Sequence, residues 1–215
     1  MAESNTEYIM QIINNLKKID YIKPGEIPDI DLYMDQVTTF MDEHLKSSKR
    51  FEEDKMLTKT MINNYTKNNL LPSPNKKKYS KEHMLLLTFI YYFKNILPIS
   101  DIQSIIMPLT QKYYNHKSEI NLEEIYKEVF SFEKEQVDIL TKDVIRKYKK
   151  AESAFSQETN QEDKEFLETF TLICLLSFDV YVKKTIIEKL IDQKLEKRDA
   201  SHTDGGKKKE EEKKK

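Results

Sequence analysis

The chain has 215 residues, of which 36 are Lys or Arg and 37 are Asp or Glu, so its formal net charge is -1. This balance argues against a protein that coats nucleic acid or membrane over its whole surface. Only three glycines are present and two lie near the carboxyl end, which argues against glycine-rich phosphate loops and Rossmann turns in an all-helical composition.

The apolar spacing predicts a series of helices in the first half of the chain, separated by prolines. The runs that follow the helical period are short, except for a nearly continuous apolar run from Met84 to Phe93 that is typical of a central core helix. The predicted helices cover residues 5 to 18, the stretch after Pro28 up to Leu45, residues 58 to 69, the stretch from Ser80 to Asn95, and a brief helix between Ser100 and Pro108.

Longer amphipathic helices are predicted after Thr110. Residues 122 to 148 form one helix or two, residues 151 to 162 a polar loop, and residues 166 to 191 a last long helix. The low-complexity end, KKKEEEKKK, has little to bury and is predicted to be disordered. The expected organisation is an N-terminal helix (1–27), a helix-turn-helix domain (28–109), a C-terminal helical domain (110–198) and a disordered tail (199–215).

Membrane, metal and catalytic classes find little support in the sequence. The long apolar run from Phe166 to Val182 contains Glu168 and Asp179, which leaves too few uncharged residues to cross a bilayer. Cys174 is the single cysteine, so an internal disulfide is impossible, and without a recognisable signal segment we expect a cytoplasmic protein. The four histidines show no metal-ligand spacing, and we expect no metal, no cofactor, no membrane partner and no enzymatic activity.

Charge is concentrated in one part of the chain. Residues 46 to 81 carry ten basic side chains against three acidic ones, whereas the rest of the chain is acidic on balance. A basic surface on an acidic body is typical of a protein that meets phosphates on one side only.

A helical wheel divides the predicted helix over residues 58 to 69 into two faces. The expected core face carries Thr58, Met61, Ile62, Tyr65 and Asn69. The opposite face combines cations that can neutralise phosphates with Asn63, whose amide has the geometry to pair with adenine in a major groove. Its residues are Lys59, Thr60, Asn63 and Lys67, with Asn64 on the flank. A small hairpin or loop is predicted to follow, formed by Lys76, Lys77, Lys78 and Tyr79, and to reach the adjacent DNA backbone as the wing of a helix-turn-helix does. For Tyr79 a position in the core stays open as an alternative. Tyr65 is expected in the core.

Residues 60 to 106 resemble the winged helix-turn-helix of MerR-type regulators. The matching positions are Tyr65 on the recognition helix, Leu70, Leu71 and Pro72 at its exit, Tyr79 in the wing, Leu87, Phe89 and Ile90 on the core helix, and Ile99, Ser100 and Ile102 on the last helix. Asn63 and Asn64 stand where that family has an Arg and a Tyr that contact DNA. The segment from Ile27 also resembles an uncharacterised bacterial family with a MerR-like core.

These observations lead to an all-α fold with a winged helix-turn-helix unit, a short wing and a C-terminal helical domain. The expected function is a DNA-binding transcriptional regulator that recognises double-stranded DNA as a homodimer, paired through the helices after Thr110. One alternative is a helical protein-interaction module that uses the winged fold as a scaffold. Another is a small-molecule pocket in the C-terminal helices, so the question of an effector stays open.

Overall fold

A computed structural model of the protein describes residues 5–16, 22–116 and 120–211. The described chain is mostly helical and contains one small two-stranded antiparallel sheet. The elements are α1 (Asn5–Leu16), β1 (Leu32–Tyr33), α2 (Met34–His44), α3 (Lys59–Lys67), β2 (Lys78–Tyr79), α4 (Lys81–Lys94), α5 (Ile99–Tyr113), α6 (Leu122–Ser131), α7 (Glu133–Glu152) and α8 (Gln161–Glu211).

Helix α4 lies at the centre of the main core, as its apolar run predicts. Every residue from His83 to Tyr91 is buried, and α5, α6 and β2 all contact the helix. Phe89 of α4 meets Tyr126 and Phe130 of α6 with ring centroids 5.3 and 5.5 Å apart. Since aromatic rings at these separations bury large apolar areas, α6 is an integral part of this core.

Helix α5 continues through Pro108, where the sequence predicted a stop. The helix runs from Ile99 to Tyr113, and the residue preceding its first turn is Pro98 rather than Ser100. Proline removes a single backbone donor, and the buried side chains of Ile102 and Ile106 hold the preceding turns against the core. The predicted boundary between residues 109 and 110 therefore falls inside a helix.

The C-terminal helices join both the main core and a second, smaller one. Leu122, Tyr126 and Ile191 belong to the main cluster of buried residues. In the second cluster, Ile9 and Ile13 of α1 pack against α7 and α8 through Tyr148, Ala151 and Leu172. Helices α7 and α8 form a hairpin in which Lys147 makes ion pairs with Asp143 and Asp179.

The ends of several elements differ from the sequence prediction. Residues 122 to 152 form two helices that meet at Phe132, which resolves the alternative left open above. Helix α1 is described to Leu16, and the last two residues of its predicted span lie outside the described residues. Helix α8 continues to Glu211 where a disordered tail was predicted from Asp199, because extending a helix that is already formed requires no new nucleation. The last four residues of that predicted tail lie outside the described part.

None of the helices in the described part of the chain combines the length and apolar character that a bilayer span requires.

Candidate nucleic-acid interface

Helix α3 is positioned by its cap and by two buried side chains. The Thr58 hydroxyl accepts a hydrogen bond from the Met61 N–H at 3.2 Å, and the helix begins at Lys59. Ile62 and Tyr65 are 0% and 8% exposed and pack in the core that includes α2. Met61 departs from the predicted core face, because its side chain is 37% exposed.

The opposite side of α3 carries the predicted polar row at the surface. Lys59, Thr60, Asn63, Asn64 and Lys67 are all exposed. The Lys59 ammonium makes an ion pair with Asp35, at the start of α2. Within the described part of the chain, the side chains of Asn63 and Lys67 have no hydrogen-bond or ion-pair partner. The end of the row towards Lys67 is therefore the part that is open to an external ligand.

The carboxyl end of α3 is closed by a Schellman motif built on Asn69. Asn69 has a φ of 54°, and the Leu70 N–H donates to the Tyr65 carbonyl at 2.8 Å. Asn69 is exposed and not on the core face, which corrects the helical-wheel prediction; the helix ends at Lys67, so the wheel does not extend to it. Leu70 and Leu71 are each 1% exposed and anchor the chain as it leaves the helix.

A short hairpin follows, where the sequence predicted a hairpin or loop. An antiparallel bridge between Asn75 and Lys78 closes the hairpin, and the Lys78 N–H donates to the Asn75 carbonyl at 2.9 Å. On its other side Lys78 pairs with Tyr33 in the β1–β2 sheet. The two residues between Asn75 and Lys78 are Lys76, with a φ of 48°, and Lys77, with a φ of 66°. Two consecutive positive φ values are the signature of a type I′ turn, in which Asn and Gly are the favoured central residues.

The strand alternation separates Lys78 from Tyr79. Lys78 is half-buried and places its ammonium 5.1 Å from the centre of the Tyr33 ring. Tyr79 is 3% exposed, stands opposite Leu32 in the sheet, and meets the His83 ring edge-on. Burial also raises the pKa of the Tyr79 hydroxyl. Tyr79 is therefore a core residue, and its candidacy for DNA contact is wrong because successive strand residues point to opposite faces.

His83 joins the hairpin to α4 and α5. The Ser80 N–H donates to His83 Nδ1 at 3.0 Å, and the Tyr114 hydroxyl lies 3.2 Å from Nε2. Because Nδ1 accepts this bond, the neutral ring carries its proton on Nε2. Burial lowers the pKa of His83, partly offset by hydrogen bonds to the Ser73 and Pro72 carbonyls. His83 thus has a structural role.

Acidic residues surround the amino-terminal end of α3. An open cleft between α2 and the segment before α3 is lined by several carboxylates, and one of them, Asp42, makes an ion pair with Lys49 at 2.9 Å. The cleft carboxylates are Asp42, Glu43, Glu52, Glu53 and Asp54. Lys81 also makes ion pairs, with Asp29 at 2.9 Å and with Glu123 at 3.3 Å. Counting charges over residues 46 to 81 did not show this, because the carboxylates in these pairs, Asp42, Asp29 and Glu123, lie outside that stretch.

The exposed cations without an intramolecular partner, among the residues that the structure describes, therefore include Lys67, Lys76 and Lys77. Sequence reasoning named all three. It missed Tyr33 under Lys78 and Asp35 beside Lys59, because both contacts join segments that are distant in sequence.

Two other features bear on small ligands. Over the described residues, no three His, Cys, Asp or Glu side chains are grouped in a way that could hold a metal ion. A mainly apolar cavity of about 390 Å³ lies between α5 and α8, where Ile105, Pro108, Ile187, Leu190 and Ile191 contribute to its wall. Its size lies within the range of small-molecule pockets, but its aliphatic lining does not select a ligand class.

The comparisons with known proteins give a family. The model of a domain of unknown function, DUF1836, matches residues 22–129, and the chain belongs to this family. The match starts near the predicted start of the helix-turn-helix domain and extends through most of α6, in agreement with the place of α6 in the main core. No match was found among the curated proteins or among the solved structures.

Proposed function

We propose that this DUF1836 member is a homodimeric transcriptional regulator that binds double-stranded DNA through a MerR-like winged helix-turn-helix. In this proposal α2 and α3 are the helix-turn-helix, α3 is the recognition helix, and the hairpin closed by Asn75 and Lys78 is the wing. The observations that carry it are the exposed polar face of α3 and a hairpin tip made of two lysines without an intramolecular partner.

The geometry of α3 suits a major groove. A helix with its side chains is about 10 to 12 Å across, close to the groove width of about 12 Å. The unpartnered Asn63 amide can donate to and accept from the edge of one adenine. Lys67 lies one turn further along the same face and can reach a phosphate. Lys59 is paired with Asp35, which partly neutralises its charge, so we expect it to bind a phosphate less strongly than Lys67.

The hairpin tip supports the proposal independently of α3. Lys residues at both left-handed positions cost the fold free energy that Asn and Gly would avoid, on the order of 1 kcal/mol for each residue. Strain of this kind is found preferentially at functional sites. Two adjacent ammonium groups at an exposed tip are suited to the phosphates beside a groove.

The test is fluorescence anisotropy with a duplex selected from a random pool and with its scrambled counterpart. We expect the wild-type chain to bind the selected duplex more tightly by a factor of roughly 1,000 or more. The triple variant Lys59→Ala, Asn63→Ala, Lys67→Ala removes the α3 face, and we expect it to lose most of that preference while its thermal midpoint barely moves, because all three side chains are exposed.

A double variant provides a control matched in charge, because the α3 variant removes two cations. Lys142 and Lys189 are exposed and lie on α7 and α8, so their replacement by Ala removes two cations elsewhere on the molecule. Equal loss of affinity in the two variants, or equal binding of both duplexes by the wild type, would contradict the proposal.

The alternative function is a protein-interaction module built on the same scaffold. Exposed apolar side chains on α6 and α7, among them Val129 at 49% and Ile139 at 50%, favour this candidate. The same titration separates the two, because a scaffold would bind the selected and scrambled duplexes equally weakly.

A further inference from the structure

Helix α8 exposes a row of large apolar side chains away from α7. Phe166 is 66% exposed and Tyr181 is 70% exposed, while Leu172 and the ion-paired Asp179 lie towards the hairpin partner. We call the row Phe166, Phe170, Ile173, Ser177, Val180 and Tyr181 the α8 face. Isolated exposed hydrophobic residues are common on proteins, but a contiguous row of this size marks an interaction site.

The spacing of the row is that of a helix–helix seam. From Phe166 the positions advance by four, three, four and three residues to Val180, the alternation that keeps one stripe of a helix against a neighbouring helix. Phe166 and Phe170 already stack with centroids 6.1 Å apart. Ser177 is the polar residue within the seam.

The two charges that border the uncharged middle of the α8 face are each paired inside the chain. Residues 169 to 178 carry no charge, Glu168 lies 4.0 Å from Lys164, and Asp179 is paired with Lys147. A partner of strong opposite charge finds little to bind there. A second copy of the same face brings the same apolar side chains and no like-charge repulsion, and an identical patch on both sides is what a two-fold interface requires.

The exposed area is sufficient for such a pair. A fully buried aromatic side chain covers 150 to 250 Å² and Ile and Val somewhat less, so three aromatic and two aliphatic side chains, each more than half exposed, offer roughly 600 Å² per copy. Two copies together bury about 1,200 Å², the lower end of the range for stable, specific interfaces.

We propose that the α8 face is the surface on which a second copy of this chain docks, helix against helix, across a two-fold axis. This inference deepens the proposed function and rests on it for the role of the dimer, which places two α3 helices on one DNA site.

The experiment measures the mass of the full chain by sedimentation equilibrium in the absence of DNA. We expect the wild type to show twice the chain mass of 25.6 kDa at micromolar concentration. The double variant Phe170→Glu, Ile173→Glu places charges in the seam, and we expect its self-association to weaken at least a hundredfold. We expect Ser177→Leu, which makes the seam fully apolar, to strengthen self-association several-fold.

Val182→Glu is the matched control. Val182 is 51% exposed on the same helix but lies about 160° around it from Phe166 at about 100° per residue, so we expect the dimer to persist. A monomeric wild type, or equal weakening by the control and the seam variant, would overturn the proposal. A monomer that still binds the selected duplex specifically would refute the α8 face alone, whereas a dimer without sequence preference would refute the DNA-binding proposal alone.

Discussion

At the scale of single residues, His83 gives the fold a predictable dependence on pH. Its ring is 2% exposed and accepts the Ser80 N–H at Nδ1, so a proton on Nδ1 would oppose that donor. Ser80, Tyr79 and Tyr114 contact the ring. Burial lowers the pKa of His83, and the Ser73 and Pro72 carbonyls together with the Asp31 carboxylate offset this only in part. The neutral ring is therefore the form that the folded state requires.

We expect the free energy of unfolding to fall as the pH drops below about 6.5, the ordinary pKa of histidine in the unfolded chain. Between that value and the lower folded pKa, the unfolded state binds more protons, so stability is complete above the window and is lost through it. His83→Gln retains an oxygen that can accept the Ser80 N–H but does not titrate. Urea unfolding from pH 7.5 to 5 should show a flatter profile for this variant, and identical profiles would contradict the role given to His83.

At the scale of elements, the two lysines at the hairpin tip supply positive charge and lower the stability of the fold. Replacing Lys76 by Asn and Lys77 by Gly supplies the favoured type I′ pair, and we expect the free energy of unfolding to rise by about 2 kcal/mol, about 1 kcal/mol for each residue. We expect DNA affinity to fall at the same time, because both cations are removed. Urea denaturation and anisotropy measure the two effects on one protein.

The control for the hairpin keeps the strain and removes only the charge. Lys76→Ala, Lys77→Ala leaves side chains with Cβ atoms at both positive φ positions, so we expect weaker DNA binding without the gain in stability. A gain of the same size in both variants would show that the turn is not strained by its lysines.

The elements show which features a single sequence can predict. The α4 core helix and the exposed row of α3 follow from apolar periodicity alone, and both were placed correctly. The path through Pro108 was not predicted, because packing of Ile102 and Ile106 outweighs the local preference of proline. Strand β1 has only two residues and exists through its pairing with β2, which periodicity over so short a segment does not reveal.

At the scale of the whole molecule, the C-terminal helices and the basic region form one structure. The buried Tyr126 hydroxyl donates to the Ile22 carbonyl at 2.6 Å, and α5 contacts both α4 and α8. The sequence suggested separate domains because longer amphipathic helices begin near Thr110, but the main core includes residues on both sides of that point. The candidate site could be located from charge density, whereas the pairing of Lys59 and Lys81 with carboxylates required the fold.

The unpaired lysines define how DNA affinity should depend on salt. Each phosphate contact contributes a slope of about -0.9 to a plot of log affinity against log salt concentration. For the wild-type chain we expect a slope equivalent to about four to eight contacts, on the DNA upstream of its own coding sequence. Removing Lys76 and Lys77 should reduce the slope by about two contacts.

The most direct test is therefore anisotropy titration of the wild type and of Lys76→Ala, Lys77→Ala with this upstream DNA and with scrambled DNA, at several salt concentrations. The account predicts tighter binding to the upstream DNA, a steep salt dependence, and a shallower slope for the variant. Absent binding, or weak binding that is indifferent to both sequence and the two lysines, would contradict it.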